Sequence, residues 1–155
     1  MKKRAIESRV EQVYQIRPEH LNGAGRLFGG RLMEWIDEVA GLGGIRHSQC
    51  NVITASVDNL KFIRGVFQND LVVLVGTLTW VGSTSMEVRV DTYVEKLNGT
   101  RYPVNRAYLT LVAVDETGKP TKVPGLLIES IGQQAEWEAG QKRKELRIQR
   151  NKEGF

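Results

Sequence analysis

Apolar and polar positions divide the chain into one helical segment and several extended ones. In residues 29–46 the apolar side chains recur at the spacing of one helix face. Residues 10–16 show imperfect alternation, and four later runs are rich in β-branched residues, as strands are. These runs cover residues 52–63, 71–81, 85–97 and 102–115. Their order predicts an α+β domain in which an antiparallel sheet packs on one helix.

The connections and the chain ends complete this outline. Asn98 and Gly99 lie between the last two runs, and this pair is typical of a β-hairpin turn. Residues 131–151 are strongly charged and are expected to form a helical tail. We therefore predict a basic N-terminal extension over residues 1–8, a folded domain over 9–125 and a charged C-terminal tail over 126–155.

Composition and charge restrict the class of protein. A chain of 155 residues with 41% hydrophobic side chains can bury one core. The excess of 22 basic over 18 acidic residues lies in residues 1–8 and 136–155, so the body offers no basic face for nucleic acid. The single cysteine, Cys50, excludes a disulfide framework and a cysteine-based zinc site. Without a signal-peptide core or a membrane-length apolar run, a cytoplasmic protein with no membrane segment and no metal is expected.

The predicted helix has two unlike faces. The face expected to bury against the sheet carries Leu32, Trp35, Ile36, Val39, Leu42 and Gly43. The opposite face carries small residues and one carboxylate: Gly30, Asp37, Gly41 and Gly44, beside Met33 and Ala40. A solvated face with tolerated glycines is one interpretation. The other is that a second backbone lies against this face, with Asp37 in the seam.

The start of the predicted helix lacks a side-chain acceptor for its first N–H groups. Phe28, Gly29 and Gly30 stand where Ser, Thr, Asp or Asn are common. These free donors could bind an anion or a carbonyl oxygen. Gly30 and Asp37 are about 10 Å apart along a helix axis, too far to act on one carbonyl carbon. Two antiparallel helices around a two-fold axis would bring them together, so the sequence predicts a dimeric unit.

Three segments of the chain resemble the hotdog-fold acyl-CoA thioesterases, closest to the subgroup of brain acyl-CoA hydrolase and YciA-like enzymes. These segments cover residues 17–41, 52–62 and 82–88. The resemblance implies a five-stranded antiparallel sheet wrapped around a long central helix. It also implies hydrolysis of acyl-CoA to a carboxylic acid and CoA, with no cofactor apart from the CoA of the substrate. Dimers that assemble into a hexamer, as a trimer of dimers, are expected.

The same resemblance assigns roles to individual residues. Asn22 corresponds to the catalytic asparagine, Asp37 to the catalytic carboxylate, and the Gly30 amide to the group that polarises the thioester carbonyl. Candidate contacts for the substrate and its CoA moiety are Gly29, Arg64, Ser83 and Thr84. Asp37 would be a general base for water or a nucleophile that forms a mixed anhydride, and the sequence leaves both routes open.

Three other functions are kept as alternatives. A non-catalytic acyl-CoA-binding hotdog protein, a sensor or regulator, would need the pocket but no base, and Asp37 argues against it. A hotdog dehydratase or hydratase usually depends on a histidine, and the central helix has none before His47. Nucleic-acid binding by the tail charges Lys142, Arg143 and Lys144 is the weakest alternative, because a solvated helix face explains them.

Overall fold

A five-stranded antiparallel sheet curls around one long helix in the computed structural model, which describes all 155 residues. The helix α1 spans Gly29–Ser48 and a second helix, α2, spans Ile131–Glu153. The strands are β1 (Lys2–Arg4), β2 (Val10–Gln15), β3 (Asn51–Asp58), β4 (Leu71–Val81), β5 (Ser85–Glu95), β6 (Arg101–Val114) and β7 (Gly125–Leu127). Five of them form the large sheet in the order β2-β4-β5-β6-β3, and β1 and β7 form a separate two-stranded sheet. The predicted α+β hotdog arrangement with a helical tail is confirmed.

The large sheet matches its predicted segments with one substantial difference. β4 has the predicted bounds, and Gly99 forms the β5–β6 turn with a φ of +86°, a conformation that favours glycine. β3, however, ends at Asp58 instead of continuing to residue 63. Asn59 adopts a left-handed φ of 62° there, and the apolar residues that follow leave the sheet. They resemble a strand in sequence because they line a pocket, as shown below.

The ends of the chain pack on the domain. β1 pairs in parallel with β7, so that Lys2 lies opposite Gly125 and Arg4 lies opposite Leu127. A single 3-10 turn, Ala5–Ser8, follows β1. Pairing between three-residue strands from opposite ends of a sequence leaves no periodic signal, and the pattern of the chain did not predict it. No helix of the structure combines the length and the apolar character that crossing a membrane requires.

The central helix supplies one side of the core. Five of the six predicted sheet-facing residues are buried, namely Leu32, Trp35, Ile36, Val39 and Gly43. The exception is Leu42, which is 39% exposed. Gly44 and Ala40 were predicted on the outward face, and this was wrong because both are buried. The sheet curls around more of the helix than a flat sheet would cover, and a Cβ at Gly44 would lie 2.6 Å from Leu111 Cδ1.

Helix α2 crosses the outer face of the sheet, on the side away from α1. The ring centroids of Trp137 and Trp80 are 5.9 Å apart, and Gly140 is buried beside them. Arg143 donates to both carboxylate oxygens of Glu87 at 2.8 Å. The prediction of a solvated helix face was therefore wrong for Arg143. The sequence shows that Arg143 is charged, but it does not show that the fold places Glu87 of β5 beside it.

His47 lies in the last turn of α1, one residue beyond the predicted end of the helical segment. It is fully buried, its Nε2 is 2.8 Å from the carbonyl oxygen of Pro124, and its Nδ1 has no hydrogen-bond partner. Burial lowers the pKa of His47, because a charged imidazole would lose its hydration there. Lys3 also lowers this pKa, while the Pro124 carbonyl and Glu7 oppose the shift. The neutral ring is therefore part of the packed structure.

Protonation of His47 should make the free energy of unfolding depend on pH. Since the pKa of His47 is lower in the folded than in the unfolded protein, its contribution is complete above about pH 6.5 and is lost as the pH falls below that value. We expect the free energy of unfolding of the parent to decrease more steeply from about pH 7 to about pH 5 than that of His47→Gln, which cannot titrate. Urea unfolding at a series of pH values measures both slopes. Equal slopes would contradict the prediction.

A second prediction concerns the contact between β4 and α1. A Cβ at Gly76 would lie 2.8 Å from Val39 Cγ1 and 3.4 Å from the Val39 carbonyl oxygen. Because a branched side chain and helix backbone cannot easily move, Gly76→Ala should lower the free energy of unfolding by about 1–3 kcal/mol. In the matched control Gly132→Ala, the new methyl would meet only Ser130 Oγ at 3.9 Å, and stability should stay unchanged or rise slightly. Denaturant unfolding measures the free energy of unfolding of both variants. Equal values for Gly76→Ala and Gly132→Ala would refute the steric argument.

Candidate active site

The loop before α1 is shaped by the side chain of Asn22. Its Oδ1 accepts hydrogen bonds from the backbone N–H groups of Ala24 at 2.9 Å and Arg26 at 3.2 Å. The backbone N–H of Asn22 also donates to the Arg26 carbonyl oxygen at 2.7 Å. Since the carboxamide oxygen is engaged within the loop, the side chain presents its Nδ2 group as a hydrogen-bond donor.

The first turn of α1 offers two further donors. Phe28 occupies the N-cap position and provides no side-chain hydrogen bond, as the sequence predicted. Its own N–H donates to the His20 carbonyl oxygen at 2.8 Å, which fixes the entry to the helix. The N–H groups of Gly29 and Gly30 donate no hydrogen bond within the chain. They carry the positive end of the helix dipole and suit a polarised oxygen.

Asn22, Gly29 and Arg64 come together in one cleft of about 370 Å³. Its other walls are mainly apolar: Leu27, Leu32, Phe62, Ile63, Val66 and Val104. Gly30, the next residue of α1, is not among the residues that line this cleft. The structure thus joins three of the predicted site residues, from a loop, a helix start and the segment after β3, in one chain.

Two arginines line the same cleft without a carboxylate partner. The guanidinium carbon of Arg64 lies 5.0 Å from the ring centroid of Tyr102, and that of Arg26 lies 5.5 Å from that of Phe67. Neither arginine forms an ion pair within the chain. Arg26 was missed in the sequence, although a cation directly after a glycine-rich loop is a usable signal for phosphate binding.

Asp37 lies about two turns further along α1 and does not line this cleft. Its Oδ1 accepts a hydrogen bond from Thr54 Oγ1 of β3 at 2.6 Å, whereas Oδ2 has no partner within the chain. Thr54 was also missed, because only the packing of β3 beside α1 brings it to the aspartate. One carboxylate oxygen is therefore fixed and the other is available.

The surface around Asp37 is apolar and exposed. Leu42, Ile45 and Val52 line a shallow depression together with Asp37 and Thr54, and Leu42 and Ile45 are exposed. Gly41 adds a small position where a Cβ would meet nothing within 4 Å. β3 is an edge strand of the sheet, so its outer edge has unpaired backbone groups. Exposed apolar residues beside an unpaired sheet edge are typical of an interaction site.

Ser83 and Thr84 lie at the other end of the sheet from the cleft. They form the tight connection between β4 and β5, whereas Val104 of the cleft is near the opposite end of the β5–β6 ladder. Their carbonyl oxygens accept hydrogen bonds from the N–H groups of Val123 and Ala113, each at 2.9 Å. Within one chain these two residues do not join Asn22 and Gly29.

Comparison with known proteins decides the family. A model described as the thioesterase superfamily matches residues 24–99, which include the helix start and Asp37. The uncharacterized acyl-CoA thioester hydrolase YkhA of Bacillus subtilis (strain 168) is 39% identical over 125 residues, which is 80% of this chain and 73% of that protein. The chain belongs to the thioesterase superfamily. The chain spans only 36% of the length of the rat cytosolic acyl coenzyme A thioester hydrolase, to which it is 31% identical.

Solved structures extend this thioesterase relationship over nearly the whole chain. An apo-hexameric acyl-CoA thioesterase superimposes with a TM-score of 0.92 at 35% identity, covering 97% of each chain. The acyl-CoA hydrolase of Staphylococcus aureus, in complex with butyryl coenzyme A, coenzyme A and coenzyme A disulfide, gives 0.93 at 32% identity, covering 99% of this chain and 94% of that one. Three variant structures of that hydrolase carry alanine in place of an asparagine, an aspartate or a threonine. The replaced residues have the same spacing as Asn22, Asp37 and Thr54.

Proposed function

We propose that this thioesterase hydrolyses acyl-CoA to a free carboxylic acid and CoA. The observation that carries the proposal is that Asn22 and Gly29, the first residue of α1, line one largely apolar cleft together with two arginines. An apolar cleft suits the acyl and pantetheine parts of the substrate, and arginines suit its phosphates. CoA enters as part of the substrate, so the reaction uses no separate cofactor. A cytoplasmic location fits this substrate and the rat relative named as cytosolic.

The helix start would stabilise the charge that develops on the thioester oxygen. The Gly30 N–H is the primary donor, with Gly29 beside it, and one such donor typically contributes about 3–4 kcal/mol to catalysis. Asn22 Nδ2 is a further donor for the carbonyl oxygen or the attacking water. The thiol formed from the leaving group has a pKa of about 8.5, as cysteine does, so the thiolate departs without a strong general acid. One carboxylate is therefore sufficient for the remaining chemistry.

That carboxylate is Asp37 of a second subunit. Within one chain Asp37 is about 10 Å along the helix from Gly30, and the helix is too rigid to bring them together. A two-fold pairing of the apolar surface around Asp37 would bury that surface and place the aspartate near the partner's helix start. Ser83 and Thr84 would then contact CoA across subunits. We propose a dimer as the catalytic unit and a trimer of dimers as the assembly, as in the hexameric thioesterase that this chain resembles.

Thr54 prepares Asp37 for either chemical route. By donating to Oδ1, it holds the carboxylate so that Oδ2 faces the reacting atoms. In one route Oδ2 removes a proton from the water that attacks the carbonyl carbon. In the other, Oδ2 attacks that carbon, the thiolate leaves, and water hydrolyses the mixed anhydride. The shared spacing of asparagine, aspartate and threonine with the residues replaced in the Staphylococcus aureus hydrolase supports this set.

The aspartate is tested by Asp37→Ala and Asp37→Asn. Both should lower the turnover number by at least about 10²-fold, because no other carboxylate takes the place of the base or nucleophile. The measurement is CoA release from acyl-CoAs of graded chain length, followed with a thiol-reactive dye. The neighbouring exposed acid provides the control, since Glu38→Gln should keep the parent rate. Parent activity in the Asp37 variants would refute the assignment, and CoA binding without turnover in the parent would favour the sensor alternative.

Thr54→Val removes the hydroxyl but keeps the shape of the side chain. A hydrogen bond to a charged group contributes about 1.5–3 kcal/mol, so kcat should fall by about 10- to 100-fold. KM should change little, because Thr54 does not line the cleft. Steady-state kinetics of the Val and Ser variants measure the effect, with Thr54→Ser recovering most of kcat. A full-rate Val variant would show that Thr54 does not position Asp37.

A further inference from the structure

The C-terminal helix holds the end of β3 through two arginines. Arg147 Nη1 donates to Asp58 Oδ2 at 3.0 Å, and Arg150 Nη2 donates to Asp58 Oδ1 at 3.1 Å. The side chains of Asp58 and Arg147 are only 12% and 16% exposed, so water and salt screen this pair weakly. With both of its oxygens engaged, Asp58 is held more firmly than the acid of a typical surface ion pair.

A bulge in β3 directs Asp58 to α2. The register against β6 shifts by one residue after Thr54. Thr54 lies opposite the core residue Leu111, whereas Asp58 lies opposite Tyr108 on the outer face. Because side chains alternate between faces, Asp58 would point inward without the extra residue. The same strand thus faces α1 through Thr54 and α2 through Asp58.

The chain leaves the sheet directly after Asp58 and forms a wall of the cleft. Asn59 turns the backbone with its left-handed φ of 62°. The next backbone hydrogen bond runs from the Ile63 N–H to the Val104 carbonyl oxygen at 3.0 Å. Five consecutive residues, from Phe62 to Val66, line the cleft. The position of this wall depends on its attachments, and the Asp58 carboxylate is the first of them.

We propose that Arg147, assisted by Arg150, is a positioning residue for substrate binding. By fixing Asp58, it sets the direction in which residues 59–66 leave β3 and hence the shape of the cleft that receives CoA. This inference rests on the proposed function of the cleft. Thr54 contacts Asp37 from the other face of β3, which the ladder to β6 holds independently. Loss of the arginine contact should therefore weaken CoA binding and leave the chemical step intact.

The test compares two neutralised charges on α2. In Arg147→Gln, KM for a short-chain acyl-CoA should rise about tenfold while kcat stays within about twofold of the parent. The dissociation constant of free CoA, measured by calorimetry, should rise by the same factor. Arg147→Lys should recover part of the loss, because it restores the charge but not the guanidinium that donates to Asp58 Oδ2. The exposed Lys142 forms no ion pair, and Lys142→Gln should match the parent in all three quantities.

Asp58→Asn addresses the other partner of the contact. It should raise KM at least as much as Arg147→Gln does, because it weakens the Arg150 contact as well. The double variant should be no worse than Asp58→Asn alone, since that variant already lacks the carboxylate that Arg147 binds. Thermal unfolding and oligomer mass establish that each variant is folded. If Arg147→Gln matches Lys142→Gln in KM and CoA affinity, or loses kcat with KM unchanged, the inference is overturned. A parent that neither binds CoA nor hydrolyses acyl-CoA overturns the proposed function, and this inference with it.

Discussion

The enclosure of α1 by the curled sheet is the constraint on which the rest of the structure depends. A sheet that curls around a helix must approach it closely at several points, and glycine occupies those points. Gly76 of β4 meets Val39, and Gly44 of α1 meets Leu111 of β6. The enclosure buries nine of the 20 helix residues and leaves one face exposed. That face carries Asp37 amid exposed apolar side chains.

The same enclosure divides the chemistry between two places. The helix start, with its unpaired N–H groups and the Asn22 loop, opens on the apolar cleft. The aspartate lies about two turns away on a rigid element that the core holds in place. A single chain can therefore offer the donors and the carboxylate, but it cannot direct both to one substrate. Pairing the open faces of two chains would bury the apolar surface and complete the site in one step.

Helix α2 shows how an apparently solvated charged segment becomes part of the structure. Its tryptophan packs on the sheet, and Arg143, Arg147 and Arg150 reach carboxylates on β3 and β5. Much of the basic excess at the C-terminus is thereby matched by acids from the sheet. The contacts lie on the outer face, directly behind the strands that carry Thr54 and the cleft. In the proposal above, these contacts would also order the back of the site.

The sequence by itself determined the elements and the chemistry they carry. The spacing of apolar residues fixes α1 and the long strands, and Phe28-Gly29-Gly30 leaves donors at the helix start, because both follow from neighbours along the chain. Only the tertiary structure decided that β3 stops at Asp58, that Gly44 faces the sheet, and that Thr54 reaches Asp37. These features arise from curvature, a bulge and contacts between distant strands. Local patterns encode which face of an element is apolar, but not what the folded chain places against it.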